Sequence, residues 1–270
     1  MLGVGVRARL SALRERWPAD SGARIVARAL SAPARRGLVR LRVEGAGNLP
    51  AEGPAIIAAN HLSFFDSVLL LFALPRRVYA LGKAEYTERR ITRWLFCGAG
   101  MIPVRRDRPA DLAGAFDQAR EVLDAGDVLA IFPEGTRSRD GQLHRGHGGA
   151  AHLALESGAP LVPVGIIGTD QILPTGARLV RPFRRATLRV GVPIRPHASG
   201  FTRSTNRARR AITDELMGEI RRLSEQRYID DYAPLPCNRP PADPPTSAAG
   251  VDDSPDPAGA QYAQATTEDG

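Results

Sequence analysis

A histidine stands five residues ahead of an aspartate in Asn60-His61-Leu62-Ser63-Phe64-Phe65-Asp66. A neutral imidazole can take a proton from a hydroxyl, and a carboxylate on its other nitrogen fixes the tautomer and stabilises the imidazolium that forms. A turn at Leu62 and Ser63 followed by a helix would carry Asp66 back to His61. The same residues admit a plainer reading, because Ser63-x-x-Asp66 also fits a capping box, in which Asp66 only starts a helix. A second set, Phe132-Pro133-Glu134-Gly135-Thr136-Arg137-Ser138, joins a glycine that lets backbone approach a ligand to an arginine whose planar fork suits a phosphate. Its plainer reading is a polar turn with a surface ion pair, Glu134 to Arg137. A third, Gly100-Met101-Ile102-Pro103-Val104-Arg105-Arg106, sets two arginines just beyond a strand, where a second phosphate contact could form. A fourth, Val162-Pro163-Val164-Gly165-Ile166, reads as a buried structural strand. His144, His147 and His152 lack the cysteine or carboxylate that would complete a metal set at suitable spacing, so no metal is expected and they read as loop and helix-surface residues.

These loops need a scaffold, and short β-branched runs supply one. Val39 to Val43, Ala55 to Ala59, Val78 to Leu81, Met101 to Val104, Val128 to Phe132, Leu161 to Ile167 and Thr187 to Val190 read as strands. Helical spacing lies between them: Leu112, Phe116, Ala119 and Leu123 follow Pro109, and Ile212, Leu216, Ile220 and Leu223 follow a Ser204 cap. The alternation predicts an α/β domain, a mostly parallel or mixed sheet covered by helices, over residues 38–232. In such sheets reactive groups gather on loops that leave strand ends.

Charge divides the chain further. Its 270 residues carry 37 basic and 29 acidic side chains, a net of +8 at pI 10.4, a balance open to nucleic acid, a membrane surface or a phosphorylated substrate. From Met1 to Arg42 ten arginines face only Glu15 and Asp20. Leu2, Val6, Leu10, Leu13 and Trp17 form one helical stripe there, with Arg7, Arg9, Arg14 and Arg16 between them. This composition predicts an amphipathic arm, residues 1–37, lying in an anionic membrane interface. Residues 233–270 hold eight prolines and six acids against Arg239 alone, and read as a disordered, solvating tail. The longest apolar run, Val68 to Leu74, falls far short of the roughly 20 residues of a membrane-spanning helix. Met1 to Val6 is likewise too short for a signal-peptide core. Cys97 and Cys237 read as free thiols. Aromatic residues make up only 6% and no nucleic-acid motif occurs, so a basic, non-catalytic nucleic-acid binder is the weakest class.

In order and spacing, Asn60-His61 to Asp66, Gly100 to Arg106, Phe132 to Ser138 and Val162 to Val164 resemble the four signature blocks of the glycerolipid acyltransferases. The resemblance spans roughly Leu38 to Arg195 and is of the 1-acyl-sn-glycerol-3-phosphate acyltransferase type. It implies an O-acyltransferase that moves a fatty acyl group from acyl-CoA or acyl-carrier protein to the free hydroxyl of 1-acyl-sn-glycerol 3-phosphate, giving phosphatidic acid for phospholipid biosynthesis. It further implies His61 as general base with Asp66 as orienting partner, and neither a cofactor nor an acyl-enzyme. Arg106, Glu134, Gly135, Thr136 and Arg137 correspond to the acceptor-binding blocks. Lys83, the only lysine in the chain, lies where related enzymes can place a phosphate-binding lysine. The expected location is the cytoplasmic face of the cell membrane, held peripherally. Leu62 and Pro103-Val104-Arg105 depart from the pattern of many members, so the same chemistry on another lysophospholipid, glycerol 3-phosphate or a glycolipid is the alternative.

Overall fold

The computed structural model describes residues 39–83, 100–104, 109–174, 176–177, 179–196 and 204–234; the expected arm and nearly all of the expected tail lie outside them. Seven strands form one sheet: β1 (Val39–Glu44), β2 (Ala55–Ala59), β3 (Val78–Lys83), β4 (Met101–Val104), β5 (Val128–Ile131), β7 (Leu161–Ile167) and β8 (Arg184–Val190). Their order is β1-β8-β7-β2-β5-β3-β4, and among these pairings only β7 with β8 is antiparallel. Two short strands, β6 (Leu143–His144) and β9 (Tyr228–Ile229), pair separately.

Central strand β2, Ala-Ile-Ile-Ala-Ala, is apolar and buried throughout, as expected of a parallel strand covered on both faces. Ala55, Ile57 and Ala59 pack with helix α1 (Phe64–Ala73) and the short α4 (Thr169–Ile172). Ile56 and Ala58 face α2 (Pro109–Asp124), α3 (Gly149–Ser157) and α5 (Asn206–Ser224). On α5 the residues Ala208, Ile212, Leu216, Ile220 and Leu223 recur every three or four positions and are buried. Its cap is Thr205, whose hydroxyl accepts from the Ala208 N–H, rather than the expected Ser204. Close packing of α5 on β7 explains Gly165, where an added Cβ would come within 2.4 Å of the Leu223 carbonyl carbon.

The expected α/β architecture is therefore present, with all seven expected strands. The chain passes from β2 through α1 to β3, which lies beyond β5, and returns through α2 to β5 beside β2. From β5 it runs through α3 to β7, on the other side of β2. The carboxyl ends of β5, β2 and β7 thus share one edge where outgoing loops diverge, the usual ligand position in an open α/β sheet.

Candidate active site

Asn60 ends β2 and fastens it to β7. Its Oδ1 accepts from the Ile166 N–H at 2.7 Å and its Nδ2 donates to the Ile166 carbonyl at 2.8 Å, so a side-chain amide continues the ladder where the β2 backbone turns away. His61 follows at once. Ser63 then starts α1 as a capping box: its Oγ accepts from Phe65 N, and the Asp66 carboxylate accepts from Ser63 N at 2.8 Å. The same Asp66 Oδ2 accepts from Leu62 N at 2.7 Å and lies 2.9 Å from His61 Nδ1. One oxygen therefore carries both the helix-start bond to Ser63 N and the contact to the His61 ring. Asp66 is wholly buried and the His61 side chain is 15% exposed, so the carboxylate is shielded while the imidazole remains reachable. Phe132 stacks on that ring at 3.8 Å between centroids and 13° between planes, which holds the imidazole flat at the end of β5. No described protein group bonds Nε2, the nitrogen left to face a substrate.

Glu134 differs from the surface reading of its loop. It makes no surface ion pair with Arg137. Instead it is buried, with Oε1 accepting from the His61 N–H at 3.0 Å and Oε2 from the His144 N–H at 3.1 Å. Ser138 N donates to the His61 carbonyl at 2.7 Å, so the backbone of the histidine is held on both sides by the loop after β5. Burial raises the Glu134 carboxyl to about 7, against the pull of those two N–H groups. Gly135, at φ +72°, lies in the left-handed region, and a Cβ there would meet the His147 ring at 3.1 Å.

Thr136 and Arg137 are half-buried beside this clamp and make no side-chain hydrogen bond or ion pair to a described residue. Among the described residues the Arg137 guanidinium has no partner, and Arg137 stands one residue from the Ser138 bond to His61. Lys83 closes β3 at the same sheet edge, its backbone in register with Val104; Arg106 lies outside the described residues. Two groups in the neighbourhood were not expected. Asn60 carries the anchor just described, and His144, read as a surface residue, is instead buried in β6 with Nε2 3.2 Å from Asp140. His147 is half-buried against Tyr232, at 4.6 Å and 14°, and burial followed by the Arg210 charge lowers its pKa. His152 sits on α3, its Nδ1 2.9 Å from Ser204 Oγ.

Taken together, a reachable imidazole with a buried carboxylate behind it, on a loop held by the Arg137-bearing segment, can deprotonate a hydroxyl next to an anionic group. Residues 40–167 match the family model described as Acyltransferase. The chain is 30% identical over 178 residues, 66% of its length, to a chloroplastic 1-acyl-sn-glycerol-3-phosphate acyltransferase of Arabidopsis thaliana, covering 49% of that protein. It is 32% identical over 130 residues, 47% of its length, to the human 1-acyl-sn-glycerol-3-phosphate acyltransferase alpha, covering 45% of it. The chain therefore spans about half the length of the curated relatives it matches. A crystal structure of the 1-acyl-sn-glycerophosphate (LPA) acyltransferase PlsC from Thermotoga maritima superposes with a TM-score of 0.56 at 28% identity, covering 68% of this chain and 71% of that one.

Proposed function

Because residues 40–167 match the Acyltransferase family model, we propose that the protein transfers a fatty acyl group from an acyl thioester to the free hydroxyl of 1-acyl-sn-glycerol 3-phosphate, giving phosphatidic acid. The observation that carries this reading is the 2.9 Å contact of His61 Nδ1 with the buried Asp66, which leaves Nε2 without a bond to any described residue on a ring that stays partly exposed. In the reaction, Nδ1–H donates to Asp66 and Nε2 takes the proton of the acceptor hydroxyl. The oxygen attacks the thioester carbonyl carbon, the new C–O bond forms and the C–S bond breaks. The thiolate leaves with the proton that Nε2 had taken, so the balance closes as one ester and one free thiol. This route uses no acyl-enzyme, metal or cofactor.

Arg137 is the leading phosphate ligand, since its guanidinium has no partner among the described residues and it precedes Ser138, whose N–H holds the His61 carbonyl. Arg106 and Lys83 are the further basic residues assigned to the acceptor phosphate, and Gly135 and Thr136 let the loop backbone approach the ligand. Glu134 acts by positioning His61 rather than by touching the acceptor. The donor is acyl-CoA or acyl-carrier protein, and a lipid acceptor places the enzyme peripherally at the cytoplasmic face of the membrane. Among the described residues, no helix is long and apolar enough to cross a membrane. An acceptor panel tests the proposal, using labelled acyl-CoA and acyl-carrier protein in turn. Thioester consumption that depends on lysophosphatidic acid is expected; transfer only to glycerol 3-phosphate or to another lysolipid would replace the acceptor, and no transfer to any of them would end the reading.

A further inference from the structure

Between α4 and β8 the chain exposes apolar residues that a soluble surface has no use for. Leu179 is 82% exposed and Phe183 77%, with Val180 between them also open, in a stretch of five residues. Phe183 adopts φ 61°, a left-handed conformation unfavourable for a bulky non-glycine residue. Arg181, Arg184 and Arg185 are exposed in the same segment. Large apolar side chains interleaved with arginines form the composition of an interfacial contact, in which the rings enter the acyl boundary and the cations meet anionic headgroups.

Its place in the fold gives the patch a direction. β8 is antiparallel to β7, with Ile167 opposite Thr187, so Arg184 and Arg185 begin β8 at the edge where β7, β2 and β5 end. The segment is rooted beside the reacting histidine: Ser63 Oγ donates to the Leu173 carbonyl at 2.6 Å, and Arg181 N donates to the Ile172 carbonyl at 2.8 Å. Arg185 is also in register with the exposed Arg40 of β1, and the arginine-rich residues 1–37 connect to the sheet at the start of that strand.

We propose that Leu179, Val180 and Phe183, with Arg181, Arg184 and Arg185, form a docking rim for an anionic phospholipid surface that seats the His61 edge on the membrane. This rim rests on the membrane-borne acceptor proposed above, yet its test does not depend on turnover. The full-length protein is sedimented with vesicles of equal parts phosphatidylglycerol and phosphatidylcholine. The paired variant Leu179→Ser with Phe183→Gly should lower partitioning about tenfold. Glycine suits the φ of position 183, so its thermal midpoint should not fall. The triple variant Arg181→Gln, Arg184→Gln, Arg185→Gln should weaken binding on the order of 10²-fold and remove its preference for phosphatidylglycerol over pure phosphatidylcholine. Undiminished partitioning of both variants overturns the rim. So does concentration-dependent self-association that the paired variant abolishes while vesicle binding stays intact, since the patch would then serve a second copy of the chain. Loss of vesicle binding with no acyl transfer to any acceptor would keep the rim and remove the function; transfer with unaltered vesicle binding would do the reverse.

Discussion

Two histidine–carboxylate pairs lie on either side of Glu134, and they are built in opposite senses. In His61–Asp66 the carboxylate is wholly buried and the ring partly open, at 2.9 Å; in His144–Asp140 the ring side chain is 9% exposed and the carboxylate 43%, at 3.2 Å. A buried carboxylate holding an accessible imidazole can support proton transfer, because the ring meets substrate while its partner is sheltered from competing water. A buried imidazole under an exposed carboxylate can only brace the chain. Glu134 joins the two by accepting the backbone N–H of each histidine. Orientation of burial therefore separates a pair able to pass a proton to a ligand from one that braces the chain more sharply than the spacing of five against four residues does.

The largest test of that contrast removes one ring at a time. His61→Ala should lower acyl transfer by about 10²–10⁴-fold with little change in thermal midpoint, whereas His144→Ala should act mainly on the midpoint. Comparable losses of turnover at equal stability would break the distinction. Next is the bridge. Glu134→Gln puts an amide N–H against one of the two backbone donors, releases the His61 loop and should lower turnover by about 10²-fold. Its signature is in pH. Folded Glu134 holds its proton up to about 7 and the unfolded side chain releases it near 4.5, so the folded chain binds more protons between those values. Glu134 therefore contributes a stability that is complete below about pH 4.5 and is lost as pH rises through about 7. Denaturation across this window should show a shallower decline in Glu134→Gln than in the wild type. A smaller effect is expected at the anchor: Asn60→Ala strands the Ile166 N–H and carbonyl and should cost about 2 kcal/mol of stability, measured by chemical denaturation.

Legibility in sequence followed the range of the interactions. His61 and Asp66 were readable because the pair is local, closed by one turn, and the strands were readable from apolar runs. The choice between cap and imidazole partner was not, since one oxygen makes both contacts and its three neighbours, His61 Nδ1, Leu62 N and Ser63 N, converge only in the fold. Asn60 looked like a loop residue because its partner lies 106 positions away. Glu134 looked like a ligand or a surface ion because nothing in Pro133–Ser138 announces burial. That burial comes with β6, a two-residue strand whose mate β9 is far along the chain. The rim is illegible in sequence for a related reason: Leu179-Val180 is too short for a periodic signal, and Pro182 interrupts it.

The weakest perturbation is the most diagnostic of the second pair. Burial pushes the Asp140 carboxyl up, but hydrogen bonds from Gln142 N, the Ser138 hydroxyl and His144 outweigh it and hold the group down to about 2. Since the folded value lies below the unfolded 3.8, its contribution is present above about pH 4 and is lost as pH falls through about 2. The exposure of this carboxylate keeps the contribution small, because water screens it. Asp140→Asn should therefore lower stability by at most about 1 kcal/mol at neutral pH, and the difference from wild type should vanish in acid. Turnover should change little, because Ser138 N reaches the His61 carbonyl through the backbone whether or not its hydroxyl finds Asp140. A large loss of turnover without a loss of stability would mean that the His144 side of Glu134 also sets the position of His61, and the two pairs would then act as one unit.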